Sequence, residues 1–366
     1  MEHPENDDQY KGLKVNKGVA DVPTVNPYLK RRIQRKEYTP AEFVEGILKG
    51  NITILSQAVT LVESSKYEHQ QVAQEIIEKC LPHAGKSVRI GITGVPGAGK
   101  STSIDAFGMH LIGEGRKLAV LAIDPSSERS KGSILGDKTR MEALSREKNA
   151  FIRPSPSAGS LGGVARKTRE TIVLCEAAGF DTVFVETVGV GQSETAVHSM
   201  VDFFLLIQLA GTGDELQGIK RGIMEMADGI IINKADGDNL EKAKLAAAQF
   251  RNALHLFPAP ESGWFPKVLT YSGYYNLGIK EIWDMVGEYM EFTKKNGYFN
   301  YKRNEQAKYW MYESINDTLR ETFYHNPAVE NMLAYTELQV LNNEISSFVA
   351  AKRMMDLFLE NLSATK

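Results

Sequence analysis

The apolar positions along the chain follow two different periodicities, and the change between them divides the chain into parts. Between residues 39 and 86, apolar side chains recur every three or four residues, which is typical of amphipathic helices. The string TPAE (39–42) forms a capping box with proline at the first helical position, Gly50 can end that helix, and Asn51 can cap the next. A third helix is expected over about 67–81, so this region is predicted to be a small helical domain.

From residue 87 onward, short continuous apolar runs alternate with helical stretches. Six runs are predicted to be strands buried on both faces, at 88–93, 117–124, 181–186, 202–210, 229–233 and 267–272. Helical patterns lie between them at 102–114, 162–178 and 239–256. This alternation predicts an α/β fold over residues 87–294, in which helices flank a parallel sheet.

The last part of the chain, residues 295–366, has no strand pattern and is predicted to be a helical arm. Two apolar stripes run along it, one formed by Met311, Ile315, Leu319 and Phe323, the other by Ile345, Phe348, Met355, Phe358 and Leu362. Such stripes either pack on the core of the protein or form a dimer interface. The spacing of the residues does not choose between these two alternatives.

The first 38 residues contain few periodic apolar positions and are predicted to be a flexible leader. They end in the basic cluster KRRIQRK (30–36), which is either a solvated arm or a docking arm for an acidic partner. The opening string MEHPENDDQY carries four acids and no basic side chain except His3. It therefore lacks the features of a signal or transit peptide, and we expect a cytoplasmic protein.

Composition excludes several classes of protein. Of the 366 residues, 42% are hydrophobic and 24% charged, which is ordinary for a globular chain and excludes a disordered or fibrous one. The net charge of −3 provides no positive field for nucleic acid or an anionic membrane. The apolar runs, such as that at 203–207, are too short to span a bilayer. Two distant cysteines, Cys80 and Cys175, exclude a disulfide scaffold and fit a reducing compartment.

The string GVPGAGKS (94–101) lies between the first predicted sheet strand and an apolar helix, where the pattern GxxxxGK[ST] binds phosphate. Its glycines allow backbone N–H groups to turn toward phosphate oxygens, and the helix N-terminus adds positive potential. Lys100 is expected to reach the β- and γ-phosphates, and Ser101 to ligate Mg²⁺. The predicted nucleotide-binding residues of this loop are Gly94, Val95, Pro96, Gly97, Ala98, Gly99, Lys100, Ser101 and Thr102.

The string NKAD (233–236) follows the predicted strand 229–233 and indicates guanine recognition. The Asp236 carboxylate can accept hydrogen bonds from the guanine N1–H and 2-amino groups, whereas adenine would leave that carboxylate unpaired. Asn233 and Lys234 complete the motif, and Ser272 is expected to hold the base from the other side. The sequence therefore predicts GTP, rather than ATP, as the nucleotide.

Three further acids are candidate Mg²⁺ ligands together with Ser101. Asp124 and Glu186 each end a predicted strand, and Asp137 lies in the glycine-rich string GSILGDKTR. Ligands of parallel α/β sheets bind at the carboxyl edge of the strands, which favours this assignment. Each acid could instead be a helix cap.

Gly189 follows the strand that ends at Glu186 and can offer its N–H group to the γ-phosphate, then move when that phosphate leaves. No glutamine follows it directly, since Gln192 is three positions further along. We therefore expect slow intrinsic hydrolysis, with the attacking water positioned by another group. The candidates are Asp137 and Lys220.

Six strings occur in an order that resembles the MeaB/ArgK family of P-loop GTPases, which also has a mitochondrial counterpart. They are GVPGAGKST, AIDPSS, GSILGDKTRM, ETVGVGQSE, GTGDELQGIKRGI and NKAD. The resemblance implies a Mg²⁺-dependent GTPase that binds GTP and GDP and forms homodimers through its C-terminal helices. It also implies a chaperone that gates adenosylcobalamin loading and protects methylmalonyl-CoA mutase, with the adenosylcobalamin belonging to that partner.

The resemblance also implies roles for single residues. Asp124, Asp137 and Glu186 would be acids of the switches and the metal shell, and 213–220 would be a third switch. Lys220 would be a cationic finger that the mutase brings toward the phosphates, although it could also be an exposed helix lysine. Lys100 would be a ligand of the nucleotide phosphates.

Two other functions are open at this point. One, implied by older naming within the family that the chain resembles, is an ATP-using kinase tied to the transport of basic amino acids (lysine, arginine, ornithine); NKAD argues against it because it disfavours ATP. The other is a dimeric scaffold whose nucleotide site is only structural. The chain has no CxCC or histidine-rich string, which argues against delivery of cobalt, zinc or nickel by direct ligation.

Overall fold

The computed structural model describes residues 38–124, 141–156, 161–187, 193–210 and 221–364. In this part of the chain, seven parallel strands form one sheet in the order β3-β2-β4-β1-β5-β6-β7. The strands are β1 Val88–Gly94, β2 Leu118–Asp124, β3 Ala150–Pro156, β4 Thr182–Thr187, β5 Phe203–Leu209, β6 Gly229–Asn233 and β7 Lys267–Thr270. The parallel α/β fold with flanking helices is thereby confirmed.

Twelve α-helices accompany the sheet within the described residues. They are α1 Pro40–Leu48, α2 Ile52–Glu63, α3 Tyr67–Cys80, α4 Lys100–Gly113, α5 Leu161–Ala177, α6 Ser193–His198, α7 Arg221–Met226, α8 Leu240–Leu254, α9 Ile279–Lys295, α10 Tyr298–Tyr324, α11 Pro327–Leu341 and α12 Ser347–Ala364. The helices α1 to α3 match the predicted N-terminal pattern. Gly50 adopts φ +72° between α1 and α2, and the Asn51 side chain accepts hydrogen bonds from Thr53 N (3.0 Å) and Ile54 N (3.2 Å).

The sheet is buried on both faces, and neighbouring residues of one strand face opposite sides. In β6, Ile231 packs toward a core that includes Phe107 of α4 and Met285 of α9. The flanking Ile230 and Ile232 pack toward Ala243 and Phe250 of α8. This two-sided burial explains why the strands appear in the sequence as continuous apolar runs.

β3 was missed by the sequence analysis, which assigned no strand to 150–156. The string AFIRPSP contains two prolines and an arginine, which disfavour a central strand. In the structure β3 lies at the edge of the sheet and pairs only with β2, with Pro154 opposite Ala122. An edge strand tolerates proline because the missing N–H group is not needed by a second neighbour.

The carboxyl ends of the central strands meet where the strand order reverses direction. β1 lies between β4 and β5, with Ile92 opposite Glu186 and Gly94 opposite Ile207. In open α/β sheets this position forms a crevice in which ligands bind. The loop after β1 and the acid at the end of β4 therefore share one edge of the sheet.

The C-terminal helices pack on one another but leave a large apolar surface exposed. Val329 of α11 and Met354 and Phe358 of α12 form a small buried cluster. The first predicted stripe is not packed on the core, since Met311, Ile315 and Leu319 are 52%, 47% and 60% exposed. Of the second stripe, Phe358 is buried, while Phe348, Met355 and Leu362 are exposed.

The predicted leader (1–38) lies almost entirely outside the described residues. From Pro40 onward the chain forms one compact unit. The division of that unit into a helical N-terminal region (39–86), a nucleotide domain (87–294) and an arm (295–366) remains a proposal about its organisation. None of the helices in the described part of the chain has both the length and the apolar character needed to cross a membrane.

Candidate nucleotide site

The loop between β1 and α4 bends back on itself at two glycines. Gly97 has φ +80° and Gly99 has φ +86°, in the left-handed region that other residues adopt only with strain. Ala98 N donates to Val95 O at 3.1 Å and closes the turn. α4 then starts at Lys100 behind a glycine, which has no side chain to cap it. The open helix N-terminus and the turned backbone suit an anion of phosphate type.

The Lys100 ammonium lies over this loop. Its Nζ donates a hydrogen bond of 2.8 Å to the Gly94 carbonyl oxygen. Burial lowers the pKa of Lys100, and the carboxylates of Glu186 and Glu194 act in the opposite direction. The Lys100 ammonium is therefore held beside the loop that joins β1 to α4, and the carboxylates of Glu186 and Glu194 lie within electrostatic range of it.

Asn233, predicted to bind nucleotide, connects three loops of the protein. Its Nδ2 donates to Ala98 O at 2.7 Å, which ties β6 to the loop after β1. Its Oδ1 accepts from Lys234 N at 2.8 Å and from Gly273 N at 3.2 Å. The Asn233 side chain is thus engaged with the protein itself and sets the distance between the phosphate loop and the NKAD segment.

Asp236 is held by the loop that follows β7. The buried hydroxyl of Ser272 donates a hydrogen bond to Asp236 Oδ2, and Tyr275 N donates to Ser272 Oγ at 3.4 Å. β7 ends at Thr270, so Ser272 lies two residues beyond the strand that was predicted to include it. Ala235 N donates to Tyr271 O at 2.9 Å and brings the two loops together. The structure therefore places Ser272 against Asp236, as a group that orients its carboxylate.

Lys234 has a backbone conformation that is unusual for a side-chain-bearing residue. Its φ is +59°, and its carbonyl oxygen accepts a 2.8 Å hydrogen bond from Asn239 Nδ2. Such conformations cost free energy and occur mostly at functional sites. The exposed Lys234 side chain lies between Asn233 and Asp236, on the rim of the site.

Of the predicted Mg²⁺ ligands, the structure places two at the same edge of the sheet. Glu186 is buried near the end of β4, and Ser101 lies in the first turn of α4. A hydroxyl and a carboxylate are hard oxygen donors of the kind that Mg²⁺ binds together with water, so these residues fit that ion. Among the described residues there is no cluster of three or more His, Cys, Asp or Glu suited to a metal.

The remaining predicted residues cannot be placed in the same way. Asp124 ends β2, but its side chain lies outside the described part of the chain. Asp137, Gly189 and Lys220 also lie outside the described residues. Their roles remain predictions from the sequence.

Glu194 was not among the residues predicted from the sequence, although it lies in the string ETVGVGQSE. This acid is in the first turn of α6 and is 2% exposed. Its carboxylate lies within electrostatic range of Lys100, as that of Glu186 does. A buried acid at the start of a helix that follows a glycine-rich string is a signal that could have drawn attention to it.

A protein family described as methylmalonyl Co-A mutase-associated GTPase MeaB matches residues 55–328 of the chain. The chain belongs to this family. Among the relatives of this MeaB-family protein is GTPase ArgK of Escherichia coli, 44% identical over 87% of this chain and 97% of its own length. The mitochondrial methylmalonic aciduria type A homolog of Mus musculus is 44% identical over 86% of this chain and 78% of its own length.

A solved structure described as LAO/AO transport system kinase is similar to this MeaB-family chain over most of both chains. The TM-score is 0.69 with 38% sequence identity, and the similarity covers 88% of this chain and 99% of the other. The family membership, the P-loop fold and the GTPase activity expected from the sequence are thereby confirmed. Membership also means that the protein binds guanine nucleotide.

Proposed function

We propose that this GTPase is a chaperone of an adenosylcobalamin-dependent acyl-CoA mutase, namely methylmalonyl-CoA mutase, and acts with it in the cytoplasm. It would gate the loading of adenosylcobalamin and protect the mutase from inactivation. The observation that carries this proposal is the match of residues 55–328 to a family described as associated with that mutase. The name of the mouse relative, a methylmalonic aciduria type A homolog, supports the same association.

Guanine selection in this proposal rests on Asp236. Its carboxylate is oriented by the buried Ser272 hydroxyl, so it can accept two hydrogen bonds from the N1–H and 2-amino groups of guanine. An ATP molecule in the same position would leave the carboxylate without donors, which costs about 1–3 kcal/mol or more. Lys234 would lie along the base, and Asn233 would hold the loops at the required distance.

Hydrolysis would proceed by in-line attack of water on the γ-phosphate. The backbone N–H groups of residues 94–102, other than Pro96, would surround the phosphates, and the Lys100 ammonium would leave the Gly94 carbonyl to neutralise charge on the β- and γ-oxygens. Ser101 and Glu186 would hold Mg²⁺, with Asp124 and Asp137 as further acids of its shell. When bound, Mg²⁺ would supply positive charge that offsets the negative charge of the phosphates.

The conformational signal would come from segments outside the described residues. Gly189 would bind the γ-phosphate through its N–H group and release it after hydrolysis. Lys220 would approach the phosphates when the mutase binds, and Asp137 or Lys220 would position the water. Because no residue of the glutamine type follows Gly189 directly, the unstimulated rate would be low and the partner would raise it.

We also propose that the protein is a homodimer joined through its C-terminal helices. The stripe of Met311, Ile315 and Leu319 is about half exposed in the single chain. Fully burying a large apolar side chain is worth about 1.5–3 kcal/mol, so covering the exposed half of each of these three would contribute roughly half of that. A second copy of the chain would remove this surface from water.

Nucleotide titration tests the identity of the nucleotide and decides against the alternative of a transport-linked kinase. We expect binding of GTP and GDP, and ATP binding weaker by at least about a hundredfold. The substitution Asp236→Asn replaces an acceptor by a donor at the 2-position and should shift preference from GTP toward xanthosine triphosphate. Preference for ATP in the unaltered protein would contradict the proposal.

Stimulated turnover tests the chaperone role. GTP hydrolysis should rise when purified methylmalonyl-CoA mutase is added, and Lys220→Ala should remove most of that rise while leaving nucleotide affinity unchanged. The exposed Lys242 on α8 offers a matched control, since Lys242→Ala removes an exposed lysine that belongs to neither nucleotide motif. Absence of stimulation by any acyl-CoA mutase would favour a scaffold with a structural nucleotide.

A further inference from the structure

Side chains of the arm helix α10 bind the C-terminal end of α6. Gln306 Nε2 donates to Val201 O at 2.8 Å and, more weakly, to His198 O at 3.4 Å. Trp310 Nε1 donates to Ser199 O at 3.0 Å. The last carbonyl groups of a helix have no partner within it, so these two side chains from a distant part of the chain complete the end of α6.

The two donors are themselves held in place. Gln306 and Trp310 are both 6% exposed, and the guanidinium of Arg169 on α5 lies 6.0 Å from the centre of the Trp310 ring. Arg169 also donates to the Gln306 carbonyl oxygen at 2.9 Å. Buried side chains with several fixed partners keep one geometry, so the contact with α6 is a rigid one.

The segment that follows α6 is anchored to the same helix. Arg303 binds the Asp202 carboxylate through two nitrogens, each at 2.7 Å, and Lys302 Nζ donates to Asp202 O at 2.7 Å. Asp202 is buried and also accepts a hydrogen bond from Arg89 N of β1. The first half of α10 therefore fixes residues 198–202 against the sheet.

The opposite end of α6 carries a buried acid within electrostatic range of the proposed catalytic machinery. Glu194 is in the first turn of α6, and its carboxylate lies within electrostatic range of the Lys100 ammonium. α6 has six residues, which at 1.5 Å per residue makes it about 9 Å long. It packs so closely on β1 that a Cβ atom at Gly91 would come within 2.8 Å of Val197 Cγ1. Because α6 is short and tightly packed, a displacement of its C-terminal end would also move Glu194 at its N-terminal end.

We propose that Gln306 and Trp310 are positioning residues for GTP hydrolysis, which act through α6 to hold the buried Glu194 carboxylate within electrostatic range of the Lys100 ammonium. This inference rests on the proposed role of Lys100 at the phosphates. In all, α10 has 27 residues and is about 40 Å long, and it carries the exposed stripe of Met311, Ile315 and Leu319. A protein bound to that stripe could therefore change the rate of GTP hydrolysis by shifting α10 and, through it, α6.

The first test removes the donors but keeps the shape of the side chains. Gln306→Met and Trp310→Phe, singly and together, should lower kcat for GTP about threefold to tenfold, while KM for GTP changes less than about twofold. The control Lys308→Met alters an exposed side chain of the same helix and should change neither constant. Melting temperatures identify any variant whose loss of rate comes from unfolding.

A double-mutant cycle shows whether the effect passes through Glu194. In a Glu194→Gln background, the pair Gln306→Met and Trp310→Phe should lower kcat by less than about twofold, since the positioned carboxylate is already absent. Additive effects of the two changes, or an unchanged kcat in the folded α10 variants, would overturn the inference. If the unaltered protein failed to bind or hydrolyse GTP, the proposed role of the site would fail instead.

Discussion

The amide nitrogen of Asn233 donates a 2.7 Å hydrogen bond to the carbonyl oxygen of Ala98, and this contact joins the two motifs of the nucleotide site. Asn233 ends β6 and opens the NKAD segment, whereas Ala98 lies 135 positions earlier, in the loop between β1 and α4 that is proposed to bind the phosphates. The same side chain accepts a hydrogen bond from Gly273 N. One residue thus sets the spacing between the proposed phosphate, base and Ser272 regions before any nucleotide arrives.

Asn233→Ala should therefore lower nucleotide affinity even though its amide is bound to the protein. Losing these contacts leaves the Ala98 carbonyl and the Gly273 N–H without their partner, at about 1–3 kcal/mol, or roughly fivefold to a hundredfold in the dissociation constant of GDP. Titration with a fluorescent guanine nucleotide measures the change. The control Asn239→Ala removes a nearby amide that donates to the Lys234 carbonyl, and it should have a smaller effect.

Gly97 and Gly99 both have a left-handed backbone, so alanine variants of the two separate the effect of backbone strain from the effect of a clash with Asn233. A Cβ atom at Gly99 would lie 2.6 Å from Asn233 Nδ2, whereas at Gly97 nothing lies within 4 Å. Both alanine variants strain the backbone by roughly 1 kcal/mol, but only Gly99→Ala should also displace Asn233. We expect a larger loss of guanine nucleotide affinity for Gly99→Ala than for Gly97→Ala, measured by calorimetry. Equal losses of affinity would show that the close approach of Gly99 to the Asn233 side chain does not matter for nucleotide binding.

His198 should make stability depend on pH. Burial, together with the Lys302 ammonium, lowers the pKa of His198 to about 3. Because this pKa lies below that of histidine in the unfolded chain, the unfolded state takes up the proton first as the pH falls. The stability that the neutral His198 contributes to the folded state is therefore complete above about pH 6.5 and is lost as the pH falls toward 3. The loss approaches about 1.4 kcal/mol per pH unit in the middle of this range.

Urea unfolding at pH 7.5 and pH 5 measures this contribution. His198→Gln should lose about 1–2 kcal/mol less stability than the unaltered protein between these two values. The comparison cancels the carboxylates, such as that of Glu176, which are present in both proteins. If both proteins lost stability in parallel, the neutral buried imidazole would not be the cause.

The exposed stripe on α10 should control the oligomeric state. Ile315→Glu combined with Leu319→Glu places two charges in a surface that a second copy would bury, and light scattering should then give the mass of a monomer instead of a dimer. Arg320→Glu changes the net charge by the same amount on an exposed neighbouring position and should leave the dimer intact. A dimer that survives the double substitution would place the interface elsewhere.

Local features of the sequence were sufficient for the fold class and for the two motifs. The continuous apolar runs at 118–123 and 203–207 identify buried parallel strands because burial on both faces removes polar residues from them. The glycines and the lysine of 94–101 are recognisable because the loop conformation depends on these residue types themselves. The edge strand β3 escaped detection, since one strand partner and a free edge allow proline and arginine in it.

Tertiary structure alone decided how the site is held together. No local pattern indicates that the Asn233 amide binds Ala98, that Ser272 binds Asp236 or that Gln306 completes the end of α6, because each contact joins positions far apart in the chain. The same is true of Glu194, whose carboxylate comes within electrostatic range of Lys100 only through the way α6 packs on β1. A sequence specifies the residue types that such contacts require, but their partners are chosen by the packing of the whole sheet and its helices.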